Sequence, residues 1–408
     1  MGDVVLHVGA PKTGTSFVQD VLWRNRESLA EQGVLYPADR FDEHFLASLD
    51  LLELSWGGLE KQAVGAWDRL AARVRDWPGT AIVSHEILAT ASRQQVRRAL
   101  DSLAGPDAEV HVVLSARDLV RQIPAEWQEN VKHRRTVAYR DFLDKITDPA
   151  RSGALASWFW GVQEIPDILA RWGGGLPPER VHLVTVPKPG APRDLLWQRF
   201  ERVLGLEGML DESALTDARR RANPSLGANE TALIRRVNER VNDGVLVGDD
   251  YRRLVRELLA HRTLSQRRRS ARLGLPDDVR AWAVELSEAW IDELGEQGYD
   301  VAGDLEELRP DQLGTEALFV DPDHPDEDAV ADAALDSIVA LLSEVATLQE
   351  TERRLGQELA DTRAELERAR GLWFRIRRRL VRAADENVLA AAGLAAYRRL
   401  RGLISRSA

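Results

Sequence analysis

Short apolar runs alternate with longer amphipathic stretches along the first half of the chain. The runs, mostly β-branched, lie at 4–8, 81–83, 110–114 and 181–186, with a weaker one at 34–36. The stretches with helical periodicity lie at 16–31, 60–76, 92–104, 118–134 and 162–172. Strands that alternate with helices predict an α/β fold whose parallel sheet is flanked by helices, and the largely apolar character of the strands fits burial on both faces. We therefore expect ligands at the carboxyl edge of the sheet.

The pattern changes in the second half of the chain. Residues 194–298 are almost wholly helical in pattern, with helices predicted near 194–204, 227–241, 249–260 and 277–297. Between Asp304 and Asp336 there are twelve acidic residues and one base, with three prolines among them. This composition predicts an extended, mobile linker. The predicted organisation is a catalytic domain at 1–303, an acidic linker at 304–334 and a helical extension at 335–408.

The extension begins with a heptad repeat. One seam position falls on Ile338, Val345, Glu352, Leu359, Leu366 and Trp373, and the other on Leu341, Leu348, Leu355, Thr362, Ala369 and Ile376. Ten of these twelve residues are apolar, which predicts a coiled coil and hence a homo-oligomer through residues 335–376. The alternative is a single long helix that folds back on the catalytic domain.

The end of the extension is basic. From Arg370 onward ten arginines accompany two acidic residues, and Trp373, Phe374 and Ile376 lie among them. A basic amphipathic helix of this kind favours peripheral contact with an anionic membrane surface. The alternative is docking against the acidic linker or the domain's own acidic surface.

Composition narrows the function classes. The chain has 408 residues, no cysteine and a formal net charge of −11. The negative charge argues against a nucleic-acid-binding protein, and the lack of cysteine excludes disulfides, thiolate metal sites and cysteine catalysis. The N-terminus lacks the pattern of a signal peptide, and no apolar run approaches the ~20 residues of a spanning helix. We expect a cytoplasmic protein, with any membrane contact at the inner face.

The most informative segment follows the first apolar run. Gly9, Gly14 and Ser16 nearly fit the ATP-binding pattern G-x-x-x-x-G-K-(S/T), but Thr15 stands where the lysine belongs and Lys12 lies at the loop crest. A loop between a strand and a helix N-terminus presents backbone N–H groups to an anion. The alternatives are a divergent nucleoside-triphosphate loop, an unrelated anion-binding turn, or a glycine turn required only for packing.

Residues 11–16, P-K-T-G-T-S, resemble the 5′-phosphosulfate loop of sulfotransferases that use 3′-phosphoadenosine 5′-phosphosulfate (PAPS), including bacterial and carbohydrate members. The resemblance covers roughly residues 1–300. It implies a three-layer P-loop-like fold, PAPS as sulfuryl donor and no metal requirement. It also implies a cofactor-binding loop made of Pro11, Lys12, Thr13, Gly14, Thr15 and Ser16.

A second element follows the run at 110–114. Arg117 resembles the arginine that lies at the end of this strand in these sulfotransferases and binds the 3′-phosphate of PAPS there. A planar guanidinium suits a phosphate dianion because it can form two parallel N–H bonds. The usual following proline is missing, and the usual serine position falls on Pro124 or Ala125. Ser115 is one candidate to replace this serine at the 3′-phosphate. Asn223 and Ser225 are two others, since they lie in an element similar to one in related bacterial members of the family. Alternatively, Arg117 belongs to a helix cap made by Asp118, and Ser225 caps the helix that contains Glu230.

The acceptor side is predicted at the run 81–83, which continues as Ser84, His85 and Glu86. The segment resembles an S-(S/H)-E element of carbohydrate sulfotransferases, in which the glutamate is the catalytic base. Glu86 is the first candidate base and His85 the second, since adjacent strand residues point to opposite faces. The alternative for each is a structural cap of the following helix.

Aromatic and polar residues near these elements complete the predicted site. If 118–134 is helical, it brings Trp127, Gln128 and Lys132 to the cleft, and Trp158 with Trp160 offers a surface for a sugar ring. The predicted function is in-line transfer of a sulfuryl group from PAPS to a hydroxyl-bearing glycan or glycolipid, with Lys12 offsetting charge on the leaving group. The alternatives are an ATP-dependent phosphotransferase and a non-catalytic nucleotide-binding coiled-coil scaffold.

Overall fold

The computed structural model describes residues 2–105, 108–210, 225–242, 244–267, 271–310, 319–386 and 392–393. The chain divides into two compact units, Met1–Ser337 and Ile338–Ala408. A parallel sheet of six strands lies at the centre of the first unit, in the order β2-β3-β1-β4-β5-β6. The predicted α/β fold with a parallel sheet is confirmed.

The strands occupy the predicted apolar runs, with one addition. They are β1 (Val4–Gly9), β2 (Val34–Leu35), β3 (Thr80–Ser84), β4 (Val110–Ala116), β5 (Val181–Thr185) and β6 (Asp300–Ala302). Every residue of β1 is buried, since its neighbours β3 and β4 pair with it on either side. The pattern did not predict β6, because this edge strand has three residues and begins with an acid.

The helices of the described residues follow the predicted alternation with several differences. They are α1 (Thr15–Glu31), α2 (Glu43–Leu52), α3 (Glu60–Ala63), α4 (Ala66–Arg75), α5 (Arg93–Leu103), α6 (Leu119–Lys132), α7 (Tyr139–Thr147), α8 (Gly153–Gln163), α9 (Ile165–Gly173), α10 (Leu195–Val203), α11 (Ala228–Val241), α12 (Gly248–Tyr251), α13 (Asp277–Gly295) and α14 (Glu327–Glu386). A π-helical segment, Arg252–Thr263, continues α12. The predicted helix at 60–76 is broken at Gly65, whose φ of 71° ends α3 and starts α4.

Three helices escaped prediction, namely α2, α7 and α8, and two of them lack a clear polar face. Seven of the ten residues of α2 are buried, so it lacks a polar face with a period of 3.6. Helix α8 is similarly apolar and ends at Gln163, and α9 begins at Ile165 with Pro166 in its first turn. The predicted segment at 162–172 is therefore the end of one helix and the whole of the next.

The main core lies between one face of the sheet and helices α1 and α10. Val18 and Leu22 from α1 pack with Phe200 from α10 against Val5 and Val113 of the sheet. Full burial of each such side chain stabilises the fold by roughly 1.5–3 kcal/mol. This packing fixes α1 against the sheet and so fixes the loop that joins β1 to α1.

The acidic segment differs from the predicted extended linker. Its described residues 304–310 and 319–337 belong to the first unit, and α14 begins inside it at Glu327. The carboxylate of Asp323 accepts hydrogen bonds from the backbone N–H groups of Tyr139 and Arg140, each 2.9 Å long, at the start of α7. Glu307 pairs with Arg199 at 2.5 Å. Composition reveals the acids but not the donors that they meet, which lie far away in sequence.

The second unit contains the rest of α14. From Ile338 onward most of its apolar heptad side chains are exposed, among them Leu355, Leu359 and Leu366. Helix α14 reaches Glu386, and 387–391 and 394–408 lie outside the described residues. No helix within the described residues has the length and apolar content needed to span a membrane.

Candidate anion-binding and acceptor site

The loop between β1 and α1 is held rigidly at the carboxyl edge of the sheet. Thr13 Oγ1 donates to the carbonyl oxygen of Ala10 at 2.5 Å and lies 2.5 Å from Ser115 Oγ, which donates to the carbonyl oxygen of Gly9 at 2.9 Å. Lys12 and Gly14 have φ values of 65° and 95°, so the loop uses left-handed backbone on both sides of Thr13. These contacts fix the loop against the end of β4.

The N-terminus of α1 opens into this loop. Among the residues that the structure describes, none caps the helix with a side chain, and its first turn contains no acid. The first N–H groups of a helix require partners, and the helix dipole favours an anion there. Gly14 also lies close to α10, because a Cβ at this position would be 2.8 Å from Leu196 Cδ2. The predicted loop residues, from Pro11 to Ser16, therefore lie together around a helix N-terminus.

Lys12 forms an ion pair that the sequence did not predict. Its Nζ donates to Glu129 Oε2 on α6 at 2.5 Å. The same carboxylate contacts His133 Nε2 at 3.1 Å and Arg256 Nη2 at 3.3 Å. Although burial opposes ionisation, Lys12 and His133 hold the pKa of Glu129 well below its usual value. One carboxylate thus sits among several basic groups at the loop crest.

Lys132 adds to this basic cluster, which we define as Lys12, Lys132, His133 and Arg256. Burial, followed by repulsion from Lys12, lowers the pKa of Lys132 to about 8. Burial is the larger cause, and the repulsion from Lys12 places a second positive charge near Lys132. Helix α6, which we expected to bring Lys132 to the cleft, places it near Lys12 and Glu129 with 3% of its surface exposed.

Arg117 follows β4 and is joined to the loop through one glutamine. Its Nε donates to Gln122 Oε1 at 2.9 Å and its Nη2 donates to the carbonyl oxygen of Arg121 at 3.0 Å. Gln122 Nε2 donates in turn to the carbonyl oxygen of Pro11 at 2.6 Å. Burial and the neighbouring Arg121 lower the pKa of Arg117 to about 10, so it stays charged at neutral pH. The helix cap belongs to Asp118, whose Oδ1 accepts from Arg121 N at 3.0 Å.

The candidate replacements for the missing serine fare differently. Ser115 is fully buried and its hydroxyl holds the loop through Gly9 and Thr13. Ser225 is exposed, and its neighbour Leu226 is held by Gln128 of α6, which accepts from the Leu226 N–H at 3.0 Å and donates to its carbonyl at 2.9 Å. The cap position of α11 falls on Gly227 rather than Ser225. Asn223 lies outside the described residues.

Glu86 lies beside the loop and is oriented by α1. Its Oε2 accepts from Gln19 Nε2 at 2.7 Å. A Cβ on Gly9 would lie 2.9 Å from the carbonyl oxygen of Glu86, which shows how closely the two backbones approach. Burial raises the pKa of Glu86, but His85 and the Gln19 hydrogen bond outweigh it and lower the pKa overall. Glu86 is therefore ionised at neutral pH.

His85 has the structural role that was the alternative reading. Its Nδ1 accepts from Ile87 N at 3.3 Å and so caps the 3-10 turn Glu86–Thr90. Its ring stacks on Phe45 with a centroid separation of 5.1 Å. Burial lowers the pKa of His85 in spite of the nearby Glu86. The imidazole is neutral at pH 7 and orders the segment that carries Glu86.

A set of aromatic residues in edge-to-face and tilted contact extends from His85. We define the aromatic wall as Phe45, Trp56 and Trp158, with centroids 5.6 Å apart for Phe45–Trp56 and 5.7 Å apart for Trp56–Trp158. All three are half-buried, and the ring of Trp56 lies edge-to-face against that of His133 in the basic cluster, with the ring centroids 6.4 Å apart. The wall therefore spans from the neighbour of Glu86 to the neighbour of Glu129.

Two predicted aromatic residues belong to the core instead of the cleft. Trp160 is buried, and its Nε1 donates to the carbonyl oxygen of Ile146 at 3.1 Å. Trp127 is fully buried, and its Nε1 donates to the carbonyl oxygen of Val137 at 3.0 Å. Trp56 was missed; it precedes the pair Gly57 and Gly58, a loop signal that could have drawn attention to it.

Glu126 is a further site residue that sequence reasoning missed. It is 4% exposed and accepts from Gln163 Nε2 at 3.4 Å, while Gln163 accepts from Gln122. Burial raises the pKa of Glu126 to about 7, against the opposing effect of Lys12. Glu126 thus joins Arg117 and Lys12 in one electrostatic network beneath the loop.

Comparison with protein-family models, with curated proteins and with solved structures finds no match for this chain. Among the described residues, no group of three or more histidine, aspartate and glutamate side chains is arranged to hold a metal ion. The function is therefore argued from the geometry of the loop, the basic cluster, Arg117, Glu86 and the aromatic wall.

Proposed function

We propose that this chain transfers a sulfuryl group from PAPS to a hydroxyl acceptor by in-line displacement. The observation that carries the proposal is the connection between two cationic groups at one sheet edge. Lys12 lies at the crest of the loop, and Arg117 is tied to the same loop through Gln122 and Pro11. A doubly phosphorylated adenosine has an anionic group at each of two positions of its ribose, and two fixed cations suit it.

The position of the loop supports a P-loop-like arrangement. Strand β1 lies inside the sheet between β3 and β4, and the loop leaves its carboxyl end to start α1. In our proposal the backbone N–H groups of residues 13–16 bind the 5′-phosphate. Arg117 binds the 3′-phosphate with parallel N–H bonds. Thr15 is almost fully buried where an ATP-binding loop has its lysine, which favours PAPS over ATP.

The transfer step moves the sulfuryl group from the phosphate oxygen to the acceptor oxygen. The bond from sulfur to the bridging oxygen breaks as the acceptor bond forms, and adenosine 3′,5′-bisphosphate leaves with the electron pair. Lys12 exchanges its contact with Glu129 for the bridging oxygen and offsets the charge that develops there. Glu86 takes the acceptor proton, and Gln19 orients its carboxylate. Such base assistance is worth roughly 10²–10⁴-fold in rate.

The acceptor in this proposal is a glycan or glycolipid that lies along the aromatic wall. Half-buried tryptophan rings offer flat apolar faces to the C–H side of a sugar ring, while His85 and His133 offer polar groups at the two ends of the wall. The exposed Phe374, among the arginines of α14 and outside its heptad seam, supports the further proposal of contact with an anionic membrane surface.

Calorimetry with adenosine 3′,5′-bisphosphate and with ATP tests the cofactor. We expect the bisphosphate to bind at least tenfold more tightly than ATP, with no requirement for magnesium. Arg117→Ala should weaken the bisphosphate at least tenfold and adenosine 5′-phosphate far less, while the exposed control Arg24→Ala changes neither. Tighter binding of magnesium–ATP would overturn the proposal in favour of a phosphotransferase.

A transfer assay with radiolabelled PAPS and glycan or glycolipid extracts tests the chemistry. Lys12→Ala and Glu86→Gln should each abolish most of the transfer while leaving the far-ultraviolet circular dichroism unchanged. If Glu86→Gln and wild-type protein both bind the bisphosphate but neither transfers label, the non-catalytic scaffold becomes the better reading.

A further inference from the structure

The second unit carries a long apolar stripe that faces solvent. Within the described residues of α14, Ile338, Leu355 and Trp373 are 51%, 54% and 58% exposed. These residues belong to a seam with a mean period of 3.5, which is maintained for more than five heptads. A straight helix drifts away from such a repeat, so the stripe stays continuous only when helices supercoil around each other. The pattern therefore calls for a helical partner along its whole length.

The charges beside the stripe identify the partner. With Ile338 and Leu341 as the first a and d positions, Glu358 and Glu365 occupy g positions, and Arg363 and Arg370 occupy the following e positions. In a parallel, in-register pair each g position faces the next e position of the other helix.

That alignment puts Glu358 beside Arg363 of the partner subunit and Glu365 beside Arg370 of the partner subunit. In an antiparallel pair g positions meet g positions and e positions meet e positions, so glutamate would tend to face glutamate and arginine would face arginine. A second copy of this chain in parallel supplies the complementary charges.

One polar seam residue adds a constraint on register. Glu352 occupies an a position between Val345 and Leu359. In register it meets the same residue of the partner, so the two carboxylates lie next to each other in the seam, at a cost in stability. A slip by one heptad would put each carboxylate against Val345 or Leu359 instead, and an unpaired charge against apolar side chains is costly. A single polar a position is a known means of fixing register at the expense of stability.

We propose that residues 338–376 form a parallel, in-register two-stranded coiled coil with a second copy of this chain. The proposal is independent of the reaction assigned to the first unit. Pairing would cover the exposed seam residues and would place the g and e charges in complementary contacts. The basic segments from Arg370 to Arg382 of the two copies would then lie at the same end of the coiled coil.

Mass and disulfide trapping test the proposal in the full chain. Sedimentation should give twice the 45.6 kDa chain mass at micromolar concentration. The chain has no cysteine, so a single introduced cysteine can form a disulfide only with the same residue of a second copy. Leu341→Cys lies in a d position near one end of the seam and should form a disulfide-linked dimer in most molecules under mild oxidation. The control Ser343→Cys, in an outward f position, should remain below a tenth crosslinked.

Charge exchange adds a second and independent readout. Glu358→Arg with Glu365→Arg should weaken dimerisation at least tenfold, and adding Arg363→Glu with Arg370→Glu should restore it. A monomeric mass for the wild-type chain would overturn the proposal in favour of a helix that folds back. A dimeric mass without the Leu341→Cys crosslink would overturn the parallel arrangement, and lack of charge rescue would refute the g–e pairing that selects it.

Discussion

Replacing Glu126 with glutamine is expected to stabilise the fold above neutral pH, and the size of the effect follows from its environment. Glu126 is 4% exposed on α6, and burial raises its pKa from 4.5 to about 7. A carboxyl group with a raised pKa in the folded state stabilises the fold when it is protonated. That contribution is fully present below pH 4.5 and is lost as the pH rises toward 7.

The magnitude comes from the difference between the two pKa values. Each pKa unit corresponds to about 1.4 kcal/mol, so ionisation of Glu126 costs about 3 kcal/mol at pH 7.5 and about 1 kcal/mol at pH 5. The neutral amide of Glu126→Gln avoids this cost and keeps an oxygen for the hydrogen bond from Gln163. The variant should therefore gain about 2 kcal/mol more at pH 7.5 than at pH 5.

Urea unfolding followed by tryptophan fluorescence measures this difference, because every tryptophan except Trp373 lies before Ile338. Glu27→Gln is the matched control, since the side chain of Glu27 is 84% exposed. The control should change the free energy of unfolding by less than about 0.5 kcal/mol at both pH values. A gain for Glu126→Gln that is equal at pH 5 and pH 7.5 would refute the reasoning, as would a loss at pH 7.5.

Two further predictions concern the ion pair and the base. Glu129→Gln removes the carboxylate that neutralises Lys12, so adenosine 3′,5′-bisphosphate should bind roughly tenfold more tightly in calorimetry. The reason is that a nearby like charge opposes the binding of an anion by about 1 kcal/mol or more. Unchanged or weaker binding would contradict the proposal that Lys12 exchanges Glu129 for the ligand. Gln19→Ala removes a hydrogen bond to the ionised form of Glu86, so the acid limb of the pH profile of kcat/KM for sulfuryl transfer should move up by about one pH unit. Asn25→Ala, which removes only a hydrogen bond to a carbonyl of the same helix, is the control. An unshifted acid limb would show that Gln19 does not set the pKa of the proposed base.

The sheet could be predicted because its strands carry their own signal. The runs that became β1, β3, β4 and β5 are largely apolar and rich in β-branched residues, as is usual for strands buried on both faces. Strand β6 and helix α2 carry no such signal, since the first is a short edge strand and the second is apolar almost throughout. Local pattern thus predicts most elements that have a clear periodicity, although the short amphipathic helix α7 was also missed.

The site was predictable only where its residues follow one another in the chain. The loop 11–16 is a local motif, but the partner of Lys12 is Glu129, 117 residues away. The same holds for Gln19 with Glu86 and for Trp56 with Trp158. Contacts of this kind depend on how α1 and α6 pack against the sheet, which the order of residues alone does not specify. The acidic segment was read as a linker for the same reason.

The ion pair between Lys12 and Glu129 changes what a measured affinity would mean. The lysine of the loop crest already has an anion that belongs to the same chain, so a ligand that binds Lys12 as we propose must displace it. Observed binding is then a difference between two competing partners of one ammonium group. Mobile anions in the buffer compete for the same position. Engineering for tighter binding should therefore weaken the resident carboxylate before it adds any new positive charge.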